Sequence, residues 1–313
     1  MARVLQFHNL KDKMAITIDY SQLAISCATV FPDDMKKGKD TKKMQDIIRH
    51  VTLKSISTYN RNYKSTYGEL LLCCDSAPTW RKKEFEFYKA HRKKDREESE
   101  TDWDTVRSFI DELLVDLEEV FPYAVIKAPG AEGDDCIGAV VKHLQTAKPG
   151  ESTNPLDELT GEPEKSLVVS ADHDFKQLLK YKTVRQWSPM QKKWVTNDEP
   201  DFLIEKIIRG DKGDGIPSVL MPDDFFVNGV GRATSVTKDV IKKYKDLNSL
   251  TSEERVRYDR NKRLIDFECM PDSVYNSIIA AYEKPRKKRN RQAIFDYLVK
   301  KRCSELIDKI EDF

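Results

Sequence analysis

Six cysteines occur in this chain, but no Cys-x-x-Cys pair and no disulfide-like spacing, which leaves no basis for a disulfide framework. The five histidines do not cluster, so a His/Cys zinc set has no support either. A phosphate-cradling glycine loop is absent, and with it the signature of an NTPase. No apolar run reaches bilayer-spanning length and no signal peptide is evident. The expectation is a soluble, cytoplasmic protein with buried, reduced thiols. No internal repeat is found, and net charge is nearly absent, at +1.

That small net charge hides segregation. Arg81 to Arg96 carries eight Lys/Arg against three acids, Glu97 to Glu119 is dominated by acids, and Pro285–Gln292 (PRKKRNRQ) is a second basic run. Such runs are commonly solvated faces, but two beside an acidic cluster raise the case for a polyanionic partner. For Pro285–Gln292 a nonspecific DNA or protein contact and a plain helix start are both open. With 313 residues, 34% charged and 39% hydrophobic, the chain can bury a proper core in one large domain or two.

What is present is a repeated theme. Ser166 to Leu178 (SLVVSADHDFKQL) reads as a buried strand that stops at Asp172 and Asp174, followed by an amphipathic helix. Met14 to Asp19 and Glu69 to Asp75 are apolar runs that again end in an acid, and Phe121–Gly130 leads to Glu132, Asp134 and Asp135 at a helix start. A helix of about 20 residues from Thr41 to about Lys64 shows helical apolar spacing. Thr146 to Lys165 is the clearest loop, and Val184–Val195 reads as a hairpin in which Trp187 and Trp194 pair. Beyond Pro200 the pattern is helical. The expected plan is α/β: a mostly parallel central sheet flanked by helices over 1–200, with a bridging segment at about 78–104, and a helical region over 201–313.

Any one of these acids reads equally well as a helix cap or a turn residue. In a parallel sheet, however, the strand ends share one edge, where open α/β sheets bind ligands. Massed there, carboxylates raise one another's pKa and repel. Hard divalent cations with oxygen ligands resolve that conflict, and two ions ~4 Å apart can activate a water and support a leaving oxygen in phosphodiester cleavage. Asp211 and Asp214, on the GDKGD turn, add to the set. Between Trp80 and Lys94, aromatics interleave with Lys and Arg, as a single-strand groove requires. About half of those aromatics belong to a core instead, Phe85 and Phe87 first, and Lys89 and Arg92 are spaced to share a helix face.

The ordered set IDYSQ (Ile18–Gln22), CCDS (Cys73–Ser76), FYKAHR (Phe87–Arg92), EGDD (Glu132–Asp135), SADHDF (Ser170–Phe175) and GDKGDGIPSV (Gly210–Val219) resembles the flap endonuclease/5′-nuclease family. QWSPMQKKWV (Gln186–Val195) and IDFECMPD (Ile265–Asp272) point within it to the T-even phage ribonuclease H branch. The resemblance covers nearly the whole chain. It implies a first Mg²⁺ among Asp19, Asp75, Glu132, Asp134 and Asp135 and a second among Asp172, Asp174, Asp211 and Asp214, with Mn²⁺ able to substitute. Lys89 and Arg92 match the basic pair of an arch that contacts the scissile phosphate, and Tyr88 an aromatic that stacks on an unpaired base. Arg81, Lys93, Lys94 and Arg232 are further substrate-binding positions.

GDKGDGIPSV with GVGRATS resembles the family's helix–turn–helix element for duplex backbone, where a monovalent cation meets phosphate. This copy departs from the pattern: Gly215 stands where Asn is usual, and Leu220 to Asn228 intervene. Lys238, Lys242 and Lys243 follow it, as phosphate contacts or as solvated lysines. The resemblance implies a monomeric 5′ to 3′ exonuclease and flap endonuclease with RNase H activity. Its substrates would be RNA·DNA hybrids, 5′ flaps and forked or nicked DNA, cut to remove RNA primers and adjacent DNA during replication. A sliding clamp and a single-strand-binding protein are implied partners, with Val4–Leu10 as a docking tail. Contacts to phosphate and strand shape rather than bases would make binding strongly salt-dependent. The rival from another class is a catalytically inactive nucleic-acid-binding adaptor. An aspartyl-nucleophile phosphatase would need an acid where Ser21 stands.

Overall fold

In the computed structural model, which describes residues 14–145, 165–229 and 232–313, the apolar runs pair into one sheet. Its strands are β1 (Ala15–Asp19), β2 (Glu69–Cys73), β3 (Ala124–Ile126), β4 (Ser166–Val169), β5 (Val184–Ser188) and β6 (Lys193–Val195). The spatial order is β3-β2-β1-β4-β5-β6, with the first five strands parallel and β6 antiparallel to β5. The Val4–Leu10 tail and the loop at 146–164 lie outside the described residues. β1 and β4 are buried almost throughout because both of their faces are covered. They adjoin at the point where the strand order reverses, and there the carboxyl edge of the sheet opens a crevice.

The helices are α1 (Tyr20–Ala28), α2 (Thr41–Tyr67), α3 (Trp80–Glu84), α4 (Arg92–Glu97), α5 (Trp103–Val120), α6 (Gly133–Gln145), α7 (Phe202–Arg209), α8 (Phe225–Asn228), α9 (Lys238–Tyr244), α10 (Ser252–Ile265), α11 (Asp272–Tyr282), α12 (Arg291–Lys300) and α13 (Ser304–Ile307). α1, α2 and α5 cover one face of the sheet, and α6 and α11 the other. α2 runs 27 residues, longer than its periodicity suggested, and stops at Gly68. There φ is +76° and a Cβ would strike the Met14 carbonyl oxygen, so only glycine turns the chain into β2. Trp187 and Trp194 do pair across the hairpin, with ring centroids 5.2 Å apart, and both pack on Tyr63 of α2.

Past residue 201 the chain divides between three cores. α7, α9 and α10 build a separate cluster with Phe85 and Tyr88. α11 closes one face of the sheet, while α12 and the final residues to Phe313 close the other. The basic run at 285–292 serves this closure: Arg286 pairs with Glu69, and Arg289 and Arg291 with Glu311.

Two local expectations are corrected. After β4 the chain forms a 3₁₀ helix, His173–Lys180, rather than an amphipathic α-helix. The bridging segment is two short helices, α3 and α4, joined by turns. Lys89 lies in the join at φ +54°, so it and Arg92 do not share a helix face. Five charged residues from Lys93 to Glu97 give α4 no apolar side to bury, and a longer helix has nothing to pack against.

Candidate active site

Each acid reaches the crevice by a local device that the sequence dictates. Asp19 ends β1 and caps α1, accepting from Gln22 N at 2.9 Å. Asp75 follows β2 and accepts from Gly133 N, the first residue of α6, at 2.8 Å. Asp172 follows β4 and turns the chain by accepting from Asp174 N at 2.8 Å. Asp134 sits in the first turn of α6. The capping reading of these acids and the cleft reading are therefore both true of the same side chains: the cap fixes where the carboxylate points.

The four are near enough to feel one another's charge. Burial first, then the charges of Asp75 and Asp172, push Asp19 up to about 7. Asp134 is raised well above the ordinary range by burial and by Asp19 and Asp172. Asp172 is raised by burial and Asp211, with Lys206 opposing. The Asp134 Oδ1 atom is buried with no hydrogen-bond partner. An all-oxygen donor set that includes an orphaned carboxylate oxygen fits a hard divalent cation. Among the described residues no three acids, histidines or cysteines are already gathered closely enough to hold one. The protein's own cations instead compensate the outer acids.

Those cations sort the remaining acids. Arg81, buried, pairs with Glu132 at 3.0 Å and Asp135 at 2.8 Å and donates to the Leu264 carbonyl. Asp135 also takes hydrogen bonds from Trp80 Nε1 and Glu132 N. Its carboxylate is thus engaged in fixing the base of α3 and in pairing Arg81, against its expected place around the first ion. Arg81 is likewise a buried clamp and not a surface contact for substrate. Lys206 of α7 pairs with Asp174 and Asp211; no motif in the sequence singled it out.

The bridging segment closes over Glu132 and Asp214. Lys89 Nζ lies 2.7 Å from Glu132 and 3.6 Å from Asp214, and Arg92 lies 2.7 Å from Asp214. Burial works to lower the Lys89 ammonium, but Asp214 and Glu132 outweigh it and leave it above its ordinary range. Tyr88 is buried, with its hydroxyl between Glu132 (2.7 Å) and Asp214 (2.8 Å). Its ring offers no face to a base, which corrects the stacking expectation; Phe85 is buried as expected and Phe87 is half-buried beside it. Lys93 and Lys94 are exposed, each reaching an acid four residues on, and Arg232 is exposed too. Lys238, Lys242 and Lys243 are exposed as well.

Gly215, the departure from the family pattern, has its reason here. Its φ is +71°, and a Cβ would lie 3.0 Å from His91 Nδ1 and 3.1 Å from the Phe87 carbonyl oxygen. The loop bearing Asp211 and Asp214 packs directly on the bridging segment, joined by Lys89 N to Asp214 O at 2.8 Å. Gly215→Ala is expected to cost about 1–3 kcal/mol, read as a lower thermal midpoint. An unchanged midpoint would show that the two segments do not bear on each other.

Comparison with known proteins bears on the family and the fold. Residues 18–207 match the model of the 5′-3′ exonuclease N-terminal resolvase-like domain, and residues 198–313 match that of the T4 RNase H C-terminal part. The chain is 34% identical over 310 residues to the ribonuclease H of Enterobacteria phage T4, covering 95% of this chain and 94% of that one. The crystal structure of T5 D15 protein co-crystallized with metal ions superposes with a TM-score of 0.50 at 14% identity, covering 95% of this chain and 98% of that one. That likeness bears on the fold.

Proposed function

From the premise that this chain belongs to the 5′-3′ exonuclease/flap endonuclease family, as a homologue of phage T4 ribonuclease H, we propose that it is a magnesium-dependent 5′-nuclease. Its substrates are RNA·DNA hybrids, 5′ flaps and forked or nicked duplexes, and its role is removal of RNA primers and adjacent DNA during replication. The observation that carries the reading is the approach of Asp19, Asp75, Asp134 and Asp172 to one another at the sheet edge, with no ion pair of their own within 4 Å among the described residues, and with the charge of Lys89 reaching them.

Two divalent cations, when bound, would activate water and stabilise the leaving 3′ oxygen. Asp19, Asp75, Asp134 and Asp172 would hold the first, and Asp172, Asp174 and Asp211 the second. The chain's own part is positioning. Lys89 and Arg92, now paired with Glu132 and Asp214, turn to the scissile phosphate and offset its growing negative charge. Exposed Lys82, Lys93 and Lys94 extend the positive surface along the strand. A monovalent cation at the 210–219 element is not part of this reading, because Gly215 supplies no side-chain oxygen there.

Cleavage of a 5′-labelled flap and of an RNA·DNA hybrid, with and without Mg²⁺, tests the proposal. Cutting only with the ion, releasing 5′-phosphate products, is expected; no cutting under any divalent ion would leave a nucleic-acid-binding adaptor. Lys89→Ala is expected to lower turnover by about 10²–10³-fold with only a modest fall in the thermal midpoint, because Arg81 still pairs with Glu132. If the substitution instead melts the protein, Lys89 is a structural counterion of Glu132.

A further inference from the structure

The two halves of the acid cluster are compensated differently. Asp19, Asp75, Asp134 and Asp172 form no ion pair within 4 Å among the described residues, whereas Asp174 and Asp211 share the ammonium of Lys206. Lys206 Nζ touches Asp174 and lies 2.8 Å from Asp211 Oδ2, and its side chain is only 17% exposed. Two features hold it there. α7 ends at Gly210, and the following loop folds back through the paired backbone of Asp211 and Ile216, bringing Asp211 over the last turn of the helix. Asp174, on the 3₁₀ turn after β4, meets it from the sheet side.

An ammonium seated between two carboxylates occupies the space that a divalent ion bound to the same oxygens needs. Magnesium–oxygen distances are ~2.1 Å, so an ion bridging Asp174 and Asp211 would stand within a few ångströms of Nζ, and at that range like charges repel strongly. The lysine has somewhere to go. A cleft of about 330 Å³, lined by His173, Glu199, Glu205, Lys206 and Arg209, adjoins the site, and its two glutamates, which now pair with Lys176 and Arg209, can share their charge with the displaced ammonium.

Resting on the metal reading above, we propose that Lys206 is a resident competitor for the second divalent cation. It neutralises Asp174 and Asp211 while that position is unfilled and must swing into the adjoining cleft before an ion binds. The crevice therefore takes up its two ions unequally. The uncompensated quartet binds first and tightly, and the Lys206-paired acids bind second and weakly.

The test is a Mn²⁺ titration without nucleic acid, with free ion followed by electron paramagnetic resonance. Wild type is expected to bind one ion tightly and a second at least tenfold more weakly. Lys206→Met, uncharged and of similar length, should tighten the second site tenfold or more and leave the first unchanged, while Lys206→Arg should keep the wild-type difference. A second site in Lys206→Met that is unchanged or weaker overturns the proposal. Wild type supplies an independent readout through acetylation of Lys206 by acetic anhydride, measured by mass spectrometry. Labelling should rise several-fold at Mg²⁺ concentrations that fill the second site; constant protection overturns the proposal. Two equally tight ions in wild type would sink this inference alone, and no bound ion in any variant would sink the metal reading with it.

Discussion

Replacing Asp134 with asparagine is expected to abolish cleavage, by roughly a thousandfold or more, while making the ion-free protein more stable above pH 7. The first effect follows from position. Asp134 is the acid whose oxygen is buried without a partner between Asp19 and Asp172. Losing its charge removes the ligand nearest the centre of the quartet, and a loss of about 4 kcal/mol of transition-state stabilisation is a thousandfold in rate. The second effect follows from electrostatics. A negative charge in the first turn of α6 gains from the helix dipole, about 0.3–1 kcal/mol. Burial and two neighbouring carboxylates outweigh that gain, as the direction of its pKa shows. Asparagine keeps the shape and discards the repulsion. Nucleic-acid affinity should change little, because the exposed lysines of the bridging segment are untouched. Two measurements decide: single-turnover cleavage, and a thermal melt in chelator. Retained cleavage would remove Asp134 from the catalytic set, and a lower midpoint would mean that its carboxylate is a structural partner.

This opposition between function and stability also explains what was legible in the sequence. The strand ends were readable because an apolar run that stops at an acid repeats at Asp19, Asp75 and Asp172, and a parallel sheet aligns such ends. The hairpin was readable from its paired tryptophans. The counterions were not. Arg81 falls in a run that looks like a solvated basic face, and only the tertiary approach of α6 and α10 buries it. Lys206 is one of many lysines on helices, and nothing in its neighbours marks it. A single signal existed in hindsight: α7 packs Ile207 and Ile208 inward, which brings the preceding lysine close to the sheet edge. Tyr88 was misjudged because interleaved aromatics and cations suit both a groove and a core. The hydroxyl held between Glu132 and Asp214 decides for the core.

The ion-free protein is expected to lose stability as pH rises from about 4 to 7, and saturating Mg²⁺ should remove most of that loss. Asp19 is raised from 3.8 to about 7 on folding, and Asp134 and Asp172 are raised too. In that window the folded state holds protons that the unfolded state has released, so unfolding free energy falls with rising pH. For Asp19 the fall amounts to roughly 2–4 kcal/mol, complete once pH passes its folded pKa. Glu132 and Asp211 work the other way. Burial would raise both, but Lys89 and Arg81 hold Glu132 below its usual range and Lys206 does the same for Asp211. Their contribution is present above the ordinary carboxylate range and disappears as pH drops below it. Together these opposed slopes put the stability maximum of the chelated protein in the ordinary carboxylate range, on the acidic side of neutrality. A divalent ion binds the ionised quartet and not the protonated one, so its stabilisation grows with pH where the intrinsic stability declines. Thermal midpoints from pH 4.5 to 8.5, in chelator and in Mg²⁺, separate the cases. A chelated protein whose midpoint rises steadily to pH 8 would show that the quartet is solvated and ionised throughout, and that no cation is needed to hold it together.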